Sequence, residues 1–407
     1  MKNRWLNGAL PAVGIHISIG SVYAFSVLTK HLMQVMGIGE KSTVTWAFSI
    51  AIFFLGMSAA FLGNHIEKIG PRKSAFICCA FWGAGLVGSG AAVMLRSLWL
   101  FYLFYGIIGG IGLGVGYITP VKTLIRWFYD RRGFATGVAV MGFGLAAMIA
   151  GPLMEKLISS IGLANMFFVM GAGYMALIFG SAFLISPPPD GYEKRGAASE
   201  AGLPLEQLTT AQAVRTVSFY ALWFMLFINI ACGISILAIA SPMLQEKFPA
   251  AMTAAAAATV VGIMSLCNGL GRLGWSSLSD LLSRPIVFSG FLLLQGGLFL
   301  GLAYTASPAV FQALLYVIIS CYGGGFACIP AYLSDMYGVK QVSAIHGRVL
   351  TAWACAGIAG PFITTWANKA TGGYKGILLI LAAAFATAFA VSIVAAAAYK
   401  KRHGRLV

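Results

Sequence analysis

One arginine stands apart from the other charges of this chain. Arg272 lies within the apolar stretch 252–277, eight residues before Asp280. At 1.5 Å per residue that is roughly 12 Å of helix. If the stretch crosses a bilayer, an arginine there costs about 2.5–3.5 kcal/mol on insertion scales. The chain has eleven acids: Glu40, Glu67, Asp130, Glu155, Asp190, Glu193, Glu200, Glu206, Glu246, Asp280 and Asp335. None falls clearly at the middle of an apolar stretch, so Arg272 has no evident permanent counter-ion. A guanidinium is a planar fork that matches a carboxylate, and the simplest completion is an anionic substrate. Backbone carbonyls, or Asp280 reached along the helix, are the alternative. Asn268 stands four residues earlier on the same helix face. It could donate to a substrate oxygen, orient Arg272 or bond a neighbouring helix.

His16 lies roughly 16 Å along a helix from Trp5, a depth like that of Arg272. An ionisable group at such depth is a functional suspect, and imidazole titrates in the useful range. His16 is the candidate for carrying a proton; a neutral hydrogen-bonding role is its bland alternative. Lys122 is a second cation inside an apolar stretch. Arg126 follows one turn later, so Lys122 is expected to snorkel to the nearer surface. His31, His65, His346 and His403 read as loop or boundary residues.

The elements that must position these groups follow from composition. Of 407 residues, 59% are hydrophobic and 9% are charged. A soluble domain of this length would leave large apolar patches exposed, which soluble monomers avoid. An ordinary soluble enzyme, a disordered chain and a nucleic-acid-binding domain are excluded. Twelve apolar stretches occur, from 6–32 to 374–399, each long enough for a transmembrane helix of roughly 20 residues. Lys2 and Arg4 before the first stretch resemble a signal peptide, but no convincing small-residue cleavage site follows, and the stretch reads as the first helix. The seven cysteines lie in apolar stretches without CxxC spacing and read as small core residues, with no metal site or cofactor expected. The one long polar segment, from Pro187 to Arg215, separates two sets of six helices. The expected division is 1–186, a linker at 187–217, and 218–407.

Sorted by loop, the basic residues divide 18 on the side of the N-terminus against 7 on the other, with Lys122 and Arg272 inside helices. The positive-inside rule places both termini and the linker in the cytoplasm. The net charge of +16 is thus an orientation device. The halves also repeat. Glu67 and Asp280, Pro120 and Pro330, and Pro152 and Pro361 recur at offsets of 213, 210 and 209. Parallel six-helix repeats with a midplane site between them are a transporter design, with Gly151-Pro152 and Gly360-Pro361 as expected bend points.

The loop Gly63-Asn64-His65-Ile66-Glu67-Lys68-Ile69-Gly70-Pro71-Arg72-Lys73 resembles a loop motif of the major facilitator superfamily, with Glu in place of the commoner Asp. Ser276-Ser277-Leu278-Ser279-Asp280 is its weaker counterpart. The resemblance implies that the acid caps a neighbouring helix and locks one conformation, which makes Glu67, Arg72, Asp280 and Arg284 gating candidates. The run Arg126-Trp127-Phe128-Tyr129-Asp130-Arg131-Arg132-Gly133 is similar to a loop of the oxalate/formate antiporter family, itself similar to the monocarboxylate transporters. The segments Gly271–Asp280 and Gly323–Pro330 strengthen that likeness, which covers essentially the whole chain. In those families an arginine at the place of Arg272 holds the substrate carboxylate. Tyr117, Tyr322, Phe143, Phe326 and Trp353 fall where substrate-lining aromatics lie, and Tyr23 and Leu28 are candidates from the first helix. Packing is the alternative role for each aromatic. Oxalate-type members carry a second cation in helix eleven, where this chain has Ala356. One deep cation matches one negative charge.

The expected protein is an all-α integral membrane protein: twelve transmembrane helices in two pseudo-symmetric six-helix bundles, the major facilitator fold. Its expected role is secondary active transport of a small monocarboxylate such as lactate or pyruvate. Proton symport is the expected mode, since an anion plus a proton is neutral; anion exchange is the alternative. The expected partners are that anion, a proton and the lipid bilayer, with no nucleic acid. The chain is expected to act as a monomer, multi-pass in a plasma or bacterial inner membrane. A membrane enzyme would need paired catalytic groups or metal ligands, and a receptor would need a sizeable domain outside the helices. Neither pattern is found.

Overall fold

The computed structural model describes residues 3–189, 192 and 207–403. Among these, twelve helices are long and apolar enough to cross a membrane: α1 Trp5–Met36, α2 Ser42–Ile69, α3 Pro71–Met94, α4 Leu98–Trp127, α5 Arg132–Ile161, α6 Leu163–Leu184, α7 Val217–Lys247, α8 Ala256–Leu282, α9 Arg284–Tyr304, α10 Pro308–Tyr337, α11 Val342–Thr371 and α12 Tyr374–Lys401. No strand occurs among the described residues. An all-helical chain satisfies its backbone internally, as a membrane requires. Of the expected linker, residues 190, 191 and 193–206 lie outside the described residues, and the charges Asp190, Glu193, Lys194, Arg195, Glu200 and Glu206 lie with them.

The connections are tight, and their backbone repeats. A single residue joins α2 to α3, and another joins α8 to α9: Gly70 at φ +82° and Ser283 at φ +76°. Their separation is the same 213 residues that separates Glu67 from Asp280. Glycine takes such a conformation freely; serine does so under strain. We call the face where α1 begins and α12 ends the basal face.

Two helix pairs bring the first six spans against the last six. A Cβ on Gly133 of α5 would sit 2.0 Å from the Ser276 carbonyl of α8, and one on Gly347 of α11 would sit 2.1 Å from the Ala59 carbonyl of α2. Bare backbone at both places allows α5–α8 and α2–α11 to touch near the basal face. Gly106, Gly110 and Gly114 of α4 lie against Ile50, Ala51 and Ser58 of α2, a packing row within the first half. The helices that face the centre are irregular. A 3-10 turn interrupts α1 at Ser21–Ala24, and α11 breaks at Leu350 into Val342–Val349 and Thr351–Thr371. All seven cysteines are free; five are buried and Cys267 partly so, while Cys355 is exposed and so is not the small core residue expected.

Candidate functional site

Arg272 is fully buried at the centre of the bundle. Its Nε donates to Asn268 Oδ1 at 3.2 Å, and its Nη1 donates to the Val140 carbonyl of α5 at 3.4 Å. The second contact is long, and Asp280 is engaged elsewhere. Nη2 makes no hydrogen bond of good geometry among the described residues, although the Tyr23 and Tyr117 hydroxyls lie near enough to interact with the guanidinium. Asn268 thus uses its acceptor on the guanidinium and fixes its orientation. A Cβ on Gly144 would come within 2.9 Å of Arg272 Nε, so the guanidinium packs closely against bare α5 backbone.

Aromatic rings from five helices close around this cation. Phe326 of α10 and Phe143 of α5 face it, with Cζ 4.8 and 5.6 Å from the ring centres. Trp353 of α11 packs on Phe326 at 4.6 Å, on Tyr117 of α4 at 5.2 Å and on Phe143 at 5.4 Å. Tyr23 of α1 meets Phe143 at 5.1 Å, and its hydroxyl bonds that of Tyr322 of α10 at 3.0 Å. Helix rise puts Arg272, Tyr117, Phe143, Phe326, Trp353 and His16 all roughly 12–17 Å from the basal ends of their helices. The tyrosine pair lies farther from that face and covers the layer. Tyr23 is partly exposed while the rest of the cage is buried. The structure does not bring Leu28 into this layer: it is buried five residues beyond Tyr23, about 7 Å further along α1.

Eight buried side-chain atoms lack a hydrogen-bond partner among the described residues, and three of them belong to this cage: Arg272 Nη2, Tyr117 Oη and Trp353 Nε1. Buried polar atoms without partners are costly. Arginine and indole N–H groups only donate, so a group that completes them offers acceptor atoms, as carboxylate oxygens do. His16 adjoins the cage, 5.4 Å from the Tyr117 ring. Its Nδ1 lies 3.1 Å from the Ala12 carbonyl and its Nε2 lies 3.2 Å from the Tyr117 carbonyl. A neutral imidazole donates from one nitrogen, so only a protonated ring bonds both.

At the basal face each half caps a helix of the other. Glu67, near the end of α2, accepts the N–H groups of Ser343 at 3.0 Å and Ala344 at 3.3 Å in the first turn of α11. Asp280, near the end of α8, accepts those of Gly133 at 2.8 Å and Phe134 at 2.7 Å in the first turn of α5. Carboxylates are favourable at these positive helix ends. Asp280 also pairs with Arg284 at 2.6 Å, and Asp335 of α10 joins Arg284 at 3.0 Å to Arg132 at 3.1 Å.

Besides Leu28, three placements of charged or ionisable residues differ from expectation. Arg72 donates to the Phe183 carbonyl at 2.8 Å within its own half and does not join Glu67. Lys122 does not simply snorkel: it pairs with Glu67 at 3.2 Å and reaches the Lys340 carbonyl at 3.3 Å. His346 is not a boundary residue; it is 2% exposed on α11, 6.0 Å from the Tyr117 ring, between the cage and these basal caps with their ion pairs, which together form the basal latch. Asp335 and Arg132, which the sequence shows only as one of the acids and as part of a basic loop, join this network, and nothing in their spacing signals the pairing.

Twelve membrane-length helices around a buried cage with one cation, and reciprocal caps at one face, define a polytopic membrane protein built as a transporter. The chain belongs to the Major Facilitator Superfamily, whose model matches residues 12–318. It is similar to the oxalate:formate antiporter of Oxalobacter formigenes, 26% identical over 88% of this chain and 84% of that protein. It is also similar to monocarboxylate transporter 2 of Mus musculus, 23% identical over 88% of this chain and 78% of that protein. In fold it is similar to FucP, solved in the outward conformation, with a TM-score of 0.72, 16% identity, and coverage of 95% of this chain and 98% of FucP.

Proposed function

We propose that this protein is a secondary active transporter of small monocarboxylates of the lactate or pyruvate kind, coupled to protons by symport. The observation that carries the reading is Arg272, buried without a carboxylate partner in one cage with the Tyr117 hydroxyl and the Trp353 indole N–H, where Nη2 and Nε1 make no hydrogen bond of good geometry. A single carboxylate supplies the acceptors these donors lack, in surroundings where its attraction to the guanidinium exceeds that in water. The similarity to monocarboxylate transporter 2 supports the substrate class.

His16 is the proposed proton carrier. His16 adjoins the cage that holds Arg272, and a protonated ring and the guanidinium repel each other. A carboxylate bound to Arg272 cancels that repulsion, so anion and proton favour each other's binding. Alternating access moves 1–186 against 218–407. The Glu67 and Asp280 caps, with Arg284, close the basal side, and the Tyr23–Tyr322 pair closes the other. The basal face is cytoplasmic by the distribution of basic residues, and the protein acts as a monomer in a plasma or bacterial inner membrane.

The test is radiolabelled L-lactate uptake into proteoliposomes, with and without an inward proton gradient. Gradient-stimulated uptake that disappears in Arg272→Ala is the expected result. Uptake that requires an anion loaded inside replaces symport with exchange, and no lactate uptake by the native chain overturns the substrate assignment.

A further inference from the structure

Arg348 belongs neither to the cage nor to the latch. It lies on the first segment of α11, Val342–Val349, six residues or about 9 Å from its start. It is therefore inside a span, although its neighbours in sequence suggest a loop charge. Among the described residues no acid pairs with it. Its guanidinium lies over the ring of Phe61 of α2, with Cζ 5.4 Å from the ring centre, and Phe61 is 64% exposed on the outside of the bundle. Beside Arg348 a groove of about 520 Å³ opens between α2, α7, α11 and the segment leading into α7, lined also by Asn64, Phe219, Tyr220 and Thr351 and by Thr210, Ala211 and Val214 of that segment. The Thr351 hydroxyl is already engaged by the Trp223 indole and the Arg348 carbonyl, and the Thr210 hydroxyl donates to Gln341 Oε1 at 3.0 Å, which leaves Arg348 and Asn64 as the polar side chains facing an occupant. Val217 and Tyr220 stand exposed beside the groove.

A cation on the outside of a membrane bundle needs an anion that can reach it there. The exposed residues beside the groove, Phe61, Val217 and Tyr220, are largely apolar, so an anion that carries hydrocarbon suits it. Basic pockets between helices at headgroup depth have this chemistry, and a guanidinium matches phosphate oxygens in its own plane. We propose that this groove binds the phosphate headgroup of an anionic phospholipid, with Arg348 and Asn64 on the headgroup and the acyl chains along Phe61, Val217 and Tyr220. Asn64 and Arg348 lie on opposite sides of the expected linker. Asn64 is three residues from Glu67, which caps α11 at Ser343 and Ala344. A lipid that bridges Asn64 and Arg348 therefore holds α2 against α11 and favours the latched arrangement.

Native mass spectrometry of the full chain, released from nanodiscs of equal phosphatidylglycerol and phosphatidylcholine, tests this directly. The native protein is expected to retain phosphatidylglycerol preferentially. Arg348→Gln is expected to retain about tenfold less, as loss of a charge-assisted hydrogen bond implies. Lys68→Gln, which removes an exposed basal charge outside the groove, is expected to retain native amounts. If Arg348→Gln does not fold, Phe61→Ala serves instead; it removes the ring beneath the guanidinium and is expected to lower retention several-fold. Equal retention of the two lipids by the native chain overturns the proposal. So does native retention in Arg348→Gln, or displacement of the lipid by inorganic phosphate alone, which marks a soluble-anion site.

Discussion

Arg272 and Arg284 lie twelve residues apart, on consecutive helices, in opposite circumstances. Arg284 is 7% exposed at the basal face and pairs with Asp280 and Asp335 while its Nη1 donates to the Ser279 hydroxyl at 2.8 Å. Arg272 is fully buried, makes one good and one long hydrogen bond to neutral acceptors, and leaves a nitrogen without a partner. A buried charge with its anion supplied by the protein holds the structure together, and breaking such a pair is costly. A buried charge without one stores that cost until a ligand arrives. The protein thus supplies carboxylates to Arg284 at the basal face and none to Arg272 in the cage.

The largest expected effect belongs to the cage. Arg272→Lys keeps the charge but removes the planar fork that Asn268 orients. Monocarboxylate affinity, read by equilibrium binding to purified protein, is expected to fall about a hundredfold, equivalent to about 3 kcal/mol. Affinity within threefold of native would mean that charge alone suffices, and the contrast with Arg284 would lose its basis.

A smaller contrast separates the two caps. Asp280 uses both oxygens, one for each N–H, and belongs to the network through Arg284, Asp335 and Arg132. Glu67 bonds both amides through one oxygen, at longer distances, and that oxygen also meets Lys122. Asp280→Asn is therefore expected to shift the latched-to-open equilibrium about fiftyfold, and Glu67→Gln about tenfold. Spin-label distances across each helix pair measure the two populations. Equal shifts would show that the caps act as one unit and that the surrounding ion pairs add nothing.

These contrasts were only partly legible in the sequence. The twelve spans, the deep position of Arg272 and the paired acids are properties of position along one chain: apolar length, residue count from a helix end, and a repeat. The partners are not. Lys122 reaches Glu67 and Lys340 only because α2, α4 and the turn before α11 meet, and Arg72 faces α6 instead of the latch because of how α3 is rotated. His346 and Arg348 lie two residues apart on one helix, one buried under Tyr117 and the other on the outer groove. Hydrophobic patterning could not separate them, since a buried helix face and a lipid-facing one are both apolar. The three unpartnered atoms of the cage emerge only when hydrogen bonds are followed one by one.

The smallest effect is expected where the two halves differ in a single backbone residue. Gly70 and Ser283 occupy equivalent turns at nearly equal φ, and Ser283, with ψ 152°, is in a region suited to glycine. Its buried hydroxyl also lacks a hydrogen-bond partner among the described residues. Ser283→Gly removes the strain and the orphaned hydroxyl together. It is expected to stabilise the protein by about 1 kcal/mol, less than the full strain because glycine also gains freedom in the unfolded chain. The check is a rise in thermal unfolding temperature, with Gly70→Ser giving a fall. Ser283 sits between Asp280 and Arg284, so spin-label distances across α5–α8 in Ser283→Gly decide what the strain does. Unchanged distances make it a local cost carried by one half of the repeat. A shift toward the open state makes it part of what sets the angle at which Arg284 meets Asp280.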